Sequence, residues 1–405
     1  MKLSVVFITQ LATFTAAGTS QLFALSLAAS QLSEIDSGRF MFLLALSSFL
    51  TFLDFGIFWA LFLNLSKKIS SNSYLMKLAY KIVASIDVII GLILTLFYQL
   101  TLLPLDVVIV VSFILVNNFL FVGLVGLRSI KGEIFYFCVF NASWPLTFLL
   151  FQCVSLAGIA FQSIFAVVPI IASAILNALV SVYIYFTHIS KRSTNALLTL
   201  SQTESNLSLT QISFYSSVIQ FLSLAMLYGD RFLVFQKLTP SDFLDYAICV
   251  QFGSMAIVLI LNLSSSIVGN NYSEEKGFMG TFANGVPVIP LLGLILGISY
   301  IVLMPVVANL FFSALSINFS LVFLIALHIF LSAIEIQIYQ NLWINNKLRL
   351  RVIFQFIGIT TSLIYLVLIL NNQVDLWQAG LALILSHSGI FAFWLQSLRA
   401  KNGIY

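Results

Sequence analysis

Apolar stretches of about 20 residues, separated by short polar or turn-rich segments, follow one another along this chain, and a helix of that length crosses a hydrocarbon core roughly 30 Å thick. Cutting the sequence at the polar segments predicts twelve membrane-spanning helices. Their approximate ranges are 3–30, 40–65, 82–103, 107–127, 134–155, 164–187, 212–236, 246–268, 286–310, 320–343, 352–371 and 376–397.

The composition supports an all-α polytopic membrane protein and excludes a soluble domain of useful size. Of 405 residues, 60% are hydrophobic and only 8% are charged, and the mean hydropathy is +1.07. Such a chain has too little polar surface to fold in water. The three cysteines lie in apolar runs without metal-ligand spacing, so we expect neither a metal site nor a bound cofactor.

The cations predict the orientation of the spans. With the N-terminus in the cytoplasm, fifteen of the eighteen Lys and Arg residues fall in inner segments, two in outer segments and one within a span. This agrees with the positive-inside rule and predicts that both termini are cytoplasmic. Removal of the first span as a signal peptide would invert the asymmetry, so we interpret it as a retained helix. Loop cations of this kind indicate contact with lipid and give no sign of nucleic acid.

The longest polar stretch divides the chain into two groups of six spans. The predicted organisation is a bundle at 1–187, a cytoplasmic linker at 188–211 and a second bundle at 212–405. Segments 32–40 and 238–246 match weakly and both link the first two spans of their half, which favours a parallel tandem repeat. The match between the two segments can also arise locally, because each segment carries a Ser or Thr three residues before an Asp, which is a common pattern at helix N-termini. Pro240 suits a first helical position.

Four acids and one base lie within predicted spans: Asp54, Asp87, Asp230, Glu335 and Arg231. Burying an ionised group in lipid costs at least ~3 kcal/mol, so such residues usually face a bundle interior or a wet cavity. Asp87 is close enough to a basic inner loop for a structural role. For Asp54 and Glu335 we favour a functional role, since an unpaired acid stabilises contacts between helices poorly.

Polar residues recur at helical spacing in four spans, which predicts an internal hydrophilic path. Ser, Thr and Gln in these stripes also have a plainer interpretation as interhelical hydrogen-bonding groups. His328 shares a helix face with Glu335 and is a candidate proton relay, although packing is the simpler interpretation; His387 is interpreted as a packing residue. The stripes are Gln10, Thr13 and Gln21; Ser47, Thr51 and Asp54; Ser216, Gln220, Ser223 and Asp230; and His328, Ser332, Glu335 and Tyr339.

Arg231 requires a partner from elsewhere in the fold. It points about 100° away from Asp230 on a helix and has no acid three or four positions away. A guanidinium matches phosphate oxygens in a two-pronged manner, so an anionic ligand is one possibility. A structural pair with Asp54 or Glu335 is the other.

The sequence lacks the motifs of several enzyme classes. The sequence has no GxxxxGK[ST] phosphate loop, GxSxG or HExxH, so a built-in ATPase and common hydrolases are excluded. The predicted outer loops are too short for a periplasmic catalytic domain, which counts against a membrane-embedded glycan polymerase or ligase. We therefore predict a non-enzymatic transporter without catalytic residues.

Three segments resemble a known family. They are FLDFGI at 52–57, the linker ending in GRF at 38–40, and YGDRFL at 228–233 followed by LTPSD at 238–242. With the six-plus-six layout, they make the chain similar to bacterial O-antigen flippases (Wzx), in the superfamily that includes MATE exporters and lipid II flippases. The resemblance implies two six-helix bundles around a central cavity.

The resemblance also implies a function. A flippase of this kind moves an undecaprenyl-diphosphate-linked oligosaccharide from the cytoplasmic to the periplasmic leaflet of the bacterial inner membrane by alternating access, using an H⁺ or Na⁺ gradient. Its partners would be the lipid-linked substrate, membrane lipids and other polysaccharide-assembly membrane proteins, and a monomer is the simplest state. We expect Arg231, with Arg39 at the outer mouth, to bind diphosphate, and Asp54, Asp230, Glu335 and His328 to be ion-coupling candidates. The main alternative is a drug or metabolite exporter of the same superfamily.

Overall fold

The computed structural model describes residues 72–100, 209–234, 237–272, 282–283, 286–312, 318–344, 347–369 and 375–401, with nine single positions between 108 and 187. The described residues from 218 onward belong to one compact unit, and those from 72 to 217 belong to another. The predicted domain boundaries, and the orientation of the termini, stay predictions.

Each described helix overlaps a predicted span, but the helix at 72–99 begins ten residues before the predicted 82–103, and the predicted span at 376–397 consists of two helices. The described helices are α1 Asn72–Gln99, α2 Leu209–Val234, α3 Pro240–Tyr272, α4 Val288–Phe311, α5 Phe319–Ile344, α6 Leu348–Ile369, α7 Leu376–Leu385 and α8 Ser388–Lys401. A two-residue antiparallel hairpin, β1 Phe282–Ala283 and β2 Val286–Pro287, precedes α4 and pairs Phe282 with Pro287.

Six segments of the described chain are long and apolar enough to cross a membrane. They are Tyr80–Gln99, Ser241–Leu261, Val288–Leu310, Phe319–Gln340, Leu348–Ile369 and Leu376–Ser397. Their outer faces expose large apolar side chains such as Leu92, Leu310 and Phe391, as expected where lipid replaces water. The protein is therefore an all-α, multi-pass membrane protein, which confirms the predicted fold class.

The start of α3 follows the local signal in the sequence. The helix begins at Pro240, as predicted, and the backbone N–H of Asp242 donates to Thr239 Oγ1 at 3.2 Å. The Thr239 hydroxyl in turn donates to the Asp242 carboxylate at 2.7 Å. Thr239 thus caps the helix, with an acid in the first turn.

Helix α5 is the interior helix of the unit that contains residues 218–405. It packs against α3, α4, α6 and α7. Glycines allow some of these approaches: a Cβ at Gly297 of α4 would lie 2.8 Å from the carbonyl oxygen of Ala326. Small residues at helix crossings serve this purpose in membranes, where close packing drives association.

Glycines also allow α6 to pack closely against the segment where α7 ends and α8 begins. A Cβ at Gly358 would overlap the carbonyl oxygen of Ser386, and one at Gly389 would overlap that of Phe354. The residues between α7 and α8 are therefore held directly against the backbone of α6.

We expect Gly358→Ala to lower the free energy of unfolding by about 1–3 kcal/mol, because a backbone oxygen cannot move aside as a side chain can. Thermal unfolding of the purified protein in detergent measures this. The matched control is Gly91→Ala in α1, where an added methyl would meet nothing within 4 Å. Equal melting temperatures for both variants would contradict the close packing.

Candidate functional site

The predicted polar stripe of α5 is buried along its whole length. His328, Ser332, Glu335 and Tyr339 are each 4–6% exposed. Their spacing of three or four residues places them on one helix face, turned inward by the packing of α5 among its neighbours. A carboxyl group buried in this way within membrane-spanning helices requires a polar partner.

The partner of Glu335 is a histidine from the last span. His387 Nδ1 lies 2.5 Å from Glu335 Oε2. The other ring nitrogen of His387, Nε2, lies 2.8 Å from His328 Nδ1, and the two ring centroids are 4.8 Å apart. Glu335, His387 and His328 therefore form a continuous hydrogen-bonded array, called here the carboxyl–histidine array, and His387 is only 1% exposed.

A break in the last span places His387 in this array. Helix α7 ends at Leu385, α8 begins at Ser388, and a turn at 386–387 separates them. At the break the His387 N–H donates to the Ile384 carbonyl at 3.1 Å, which leaves the Leu383 carbonyl to accept from Ser386 Oγ at 2.6 Å. The Ala382 carbonyl, which accepts from the Ser386 N–H, also accepts from Ser362 Oγ at 2.9 Å. Non-helical backbone at membrane depth is tolerated only with such compensation.

A second buried polar group joins α2 to α3. Arg231 is 1% exposed; its Nη1 donates to Gln251 Oε1 at 2.6 Å and its Nη2 donates to Ser254 Oγ at 2.7 Å. These two partners are neutral, and the carboxyl group of the preceding residue, Asp230, also interacts electrostatically with the guanidinium. Beside it, the Tyr246 hydroxyl donates to Asp230 Oδ2. Both Asp230 and Arg231 thus have partners on α3.

The two groups are electrostatic neighbours. Arg231 is close enough to act on the charge of His328. On the other side of the array, the Tyr339 hydroxyl lies beside the Glu335 carboxyl, and the Arg351 guanidinium lies 5.3 Å from the centre of the Tyr339 ring. Arg351 lies in the first turn of α6, so polar groups extend from the array to the start of that helix.

The structure brings together two of the predicted site residues, Glu335 and His328, through a third that sequence reasoning had interpreted as packing. Ser386, His387, Ser388 and Gly389 form a polar interruption in an otherwise apolar span. That interruption is the signal that could have identified His387. Asp54 and Arg39 lie outside the described residues, and the roles assigned to the site residues stay predictions.

No protein-family model matches the sequence, and no curated protein matches it by sequence. Solved structures do match the fold over nearly the whole chain. An outward-facing multidrug resistance MATE family transporter of the MOP superfamily matches with a TM-score of 0.71 and 12% identity, covering 99% of this chain and 97% of that one. An inward-facing one matches at 0.68 and 13%, covering 98% of each chain.

A third structure, a MOP superfamily transporter from Pyrococcus furiosus, matches at 0.64 and 12%, covering 98% of this chain and 96% of that one. Reversed polarity of its binding pocket suggests a different function for that protein. At these identities the likeness concerns the fold, and the matching structures have twelve membrane helices. The protein therefore has the fold of the MATE transporters of the MOP superfamily.

Proposed function

We propose that this protein is a secondary transporter that flips an undecaprenyl-diphosphate-linked oligosaccharide, the repeat unit of an O-antigen or similar surface polysaccharide. Movement would run from the cytoplasmic to the periplasmic leaflet of a bacterial inner membrane, by alternating access and without enzymatic activity. The observation that carries the proposal is the carboxyl–histidine array, an ionisable cluster buried among membrane-spanning helices of a transporter fold.

The array supports ion-coupled transport because it has no structural need to be ionisable. Apolar or neutral side chains would pack α5 against α7 and α8 at lower cost, since buried charges are expensive in a membrane. A cluster that can change its charge gives the protein a means to link an ion gradient to its conformation. With no phosphate loop in the sequence, such a gradient is the proposed energy source.

The proposed cargo rests on Arg231 and on the resemblance of its segment to polysaccharide exporters. Gln251 and Ser254 hold its guanidinium within the bundle. A guanidinium carries a permanent positive charge and hydrogen-bond donors that match phosphate oxygens, so Arg231 suits a diphosphate. Arg39, at the predicted outer mouth, would add a second cation on the route.

An exporter of drugs or metabolites is the second candidate. It is favoured by one observation: solved structures with this fold include multidrug resistance transporters. Intramembrane acids with few bases also suit a cationic amphiphile. The two candidates share the coupling scheme and differ in cargo, so the cargo is the quantity to test.

The test is the amount and sidedness of undecaprenyl-linked glycan in a strain that lacks this protein. We expect complete repeat units to accumulate on the cytoplasmic leaflet and surface polysaccharide to be lost, with both restored by the wild-type gene. Normal surface glycan without accumulated intermediate would overturn the flippase proposal. Broad drug hypersensitivity in the same strain would then favour the exporter.

A further inference from the structure

We infer that Glu335, His387 and His328 bind one proton between them as a single unit, so that the coupling ion is H⁺ rather than Na⁺. The physiological meaning of this inference rests on the proposed ion-coupled transport. Proton binding itself concerns only the array, and it can be measured without knowledge of the cargo.

The distances within the array require a proton in each contact. A nitrogen 2.8 Å from another nitrogen, and a nitrogen 2.5 Å from a carboxylate oxygen, are hydrogen-bond separations. Without hydrogen between them, lone pairs would face each other at these distances. A hard cation with ligands about 2.4 Å away would hold even two adjacent ligands more than about 3 Å apart, which is farther than either separation.

The donor set also disfavours sodium. A hard cation prefers several oxygen ligands, and each ring nitrogen of His387 is already engaged. The side-chain oxygens in this region include Glu335 Oε1, the Tyr339 hydroxyl and the Ser332 hydroxyl, which lies 3.5 Å from His387 Nε2. Within the described residues, no group of three or more His, Cys, Asp or Glu side chains is placed to hold a metal ion.

Counting protons gives two states for the array. With Glu335 ionised and both imidazoles neutral, each contact holds one proton and the array carries one negative charge. One further proton makes the array neutral. It can enter at His328, whose ring lies beside the Leu383 carbonyl freed by the helix break. Each imidazole then passes a proton onward, so Glu335 can be neutralised without displacement of a heavy atom.

In the described part of the chain, charged and titratable groups face the array from α2, α5 and α6. Arg231 of α2 acts on His328, and Tyr339 of α5 and Arg351 of α6 lie on the Glu335 side. Asp230 of α2 accepts from the Tyr246 hydroxyl of α3, and Asp245 and Cys249 of α3 are buried. Helix α4 carries no charged residue, and its buried Tyr300 donates to the Cys249 carbonyl at 2.8 Å.

The break between α7 and α8 provides a place where a change in the charge of the array can change the conformation. His387 lies in the turn between α7 and α8, where the backbone is not continuous helix. In the neutral state the array is stable when buried, whereas loss of the proton leaves an ionised carboxylate at low dielectric. Release of the proton should therefore favour a state in which the contacts of His387 open and Glu335 reaches water.

Histidine nitrogen NMR on the full-length protein in lipid nanodiscs tests the inference. The chain has three histidines, so uniform ¹⁵N-histidine labelling gives few signals, assigned by single substitutions. His188, in the predicted cytoplasmic linker, is the internal reference. We expect the His328 and His387 signals to change together with pH, with a coupling across the shared N–H···N bond. Sodium added at constant pH should leave their signals unshifted.

Two variants sharpen the experiment. Glu335→Gln should remove the joint titration, whereas Asp375→Asn, which removes an exposed carboxylate at the start of α7, should leave it unchanged. An unaltered His387 titration in Glu335→Gln would overturn the inference. Sodium-induced shifts would also overturn it, and this measurement does not depend on the stability of any variant because it uses the wild-type protein. Normal surface glycan in the deletion strain would instead overturn the cargo and leave the proton site standing.

Discussion

Glu335→Gln should reduce glycan flipping to the level of a strain that lacks the protein, while the variant still inserts and folds. Glutamine has nearly the shape of the protonated acid and can keep a hydrogen bond to His387, so the free energy of unfolding should change by only about 1 kcal/mol. The side chain can no longer bind or release a proton. Coupling is lost for this reason, and folding is retained.

The measurement is restoration of surface polysaccharide in the deletion strain by plasmid-borne variants at matched membrane abundance. Asp375→Asn is the matched control, since it also converts a carboxylate to an amide but at an exposed position, and it should restore the glycan fully. Normal glycan with Glu335→Gln at wild-type abundance would show that Glu335 is not the coupling group. Reduced abundance of Glu335→Gln would instead point to a structural role for the contact with His387.

Much of the fold could be predicted from the sequence because lipid imposes strong constraints. A backbone in hydrocarbon must satisfy its own hydrogen bonds, so each apolar stretch of sufficient length becomes a helix. The predicted spans at 320–343 and 352–371 agree with α5 and α6 to within about four residues at each end. The start of α3 could also be predicted, since a threonine cap followed by proline and an acid acts locally.

The break in the last span could not be predicted in the same way. Hydropathy gives one span at 376–397, and this segment is indeed apolar enough to cross the membrane. No proline interrupts it. The turn at 386–387 depends on Gly358, whose missing side chain lets the Ser386 carbonyl approach α6. That contact joins residues far apart in sequence, so helical periodicity within either span carries no sign of it.

The candidate site could likewise be predicted only in part, because contacts between distant segments complete it. The α5 stripe could be recognised, because His328, Ser332, Glu335 and Tyr339 follow helical spacing within one segment. The role of His387 depends on tertiary packing, and a lone histidine in an apolar span looks like any hydrogen-bonded packing residue. Likewise the sequence indicated that Arg231 needed partners from another helix. It did not reveal that Gln251 and Ser254 of α3 would supply them.

Those contacts give Arg231 two possible tasks, to hold α2 against α3 and to present a positive charge to the cargo. Both terminal nitrogens of the guanidinium donate to α3 at 2.6 and 2.7 Å. A structural task needs the shape of the fork, since a single ammonium cannot reach both acceptors in the same way. An electrostatic task needs mainly the charge. Substitutions that separate shape from charge therefore distinguish the tasks.

Arg231→Ala should abolish flipping and also lower the free energy of unfolding by about 3 kcal/mol, because the donors to Gln251 and Ser254 and the cation beside Asp230 are removed together. Arg231→Lys keeps the charge, so partial flipping is expected if diphosphate binding is the main task, with the melting temperature as the separate structural readout. Arg349→Ala, at an exposed position in the same chain, controls for loss of a cation.

Full flipping by Arg231→Ala at normal abundance would exclude the diphosphate role. A Lys variant that is stable yet inactive would show that the two-pronged geometry itself is required by the cargo.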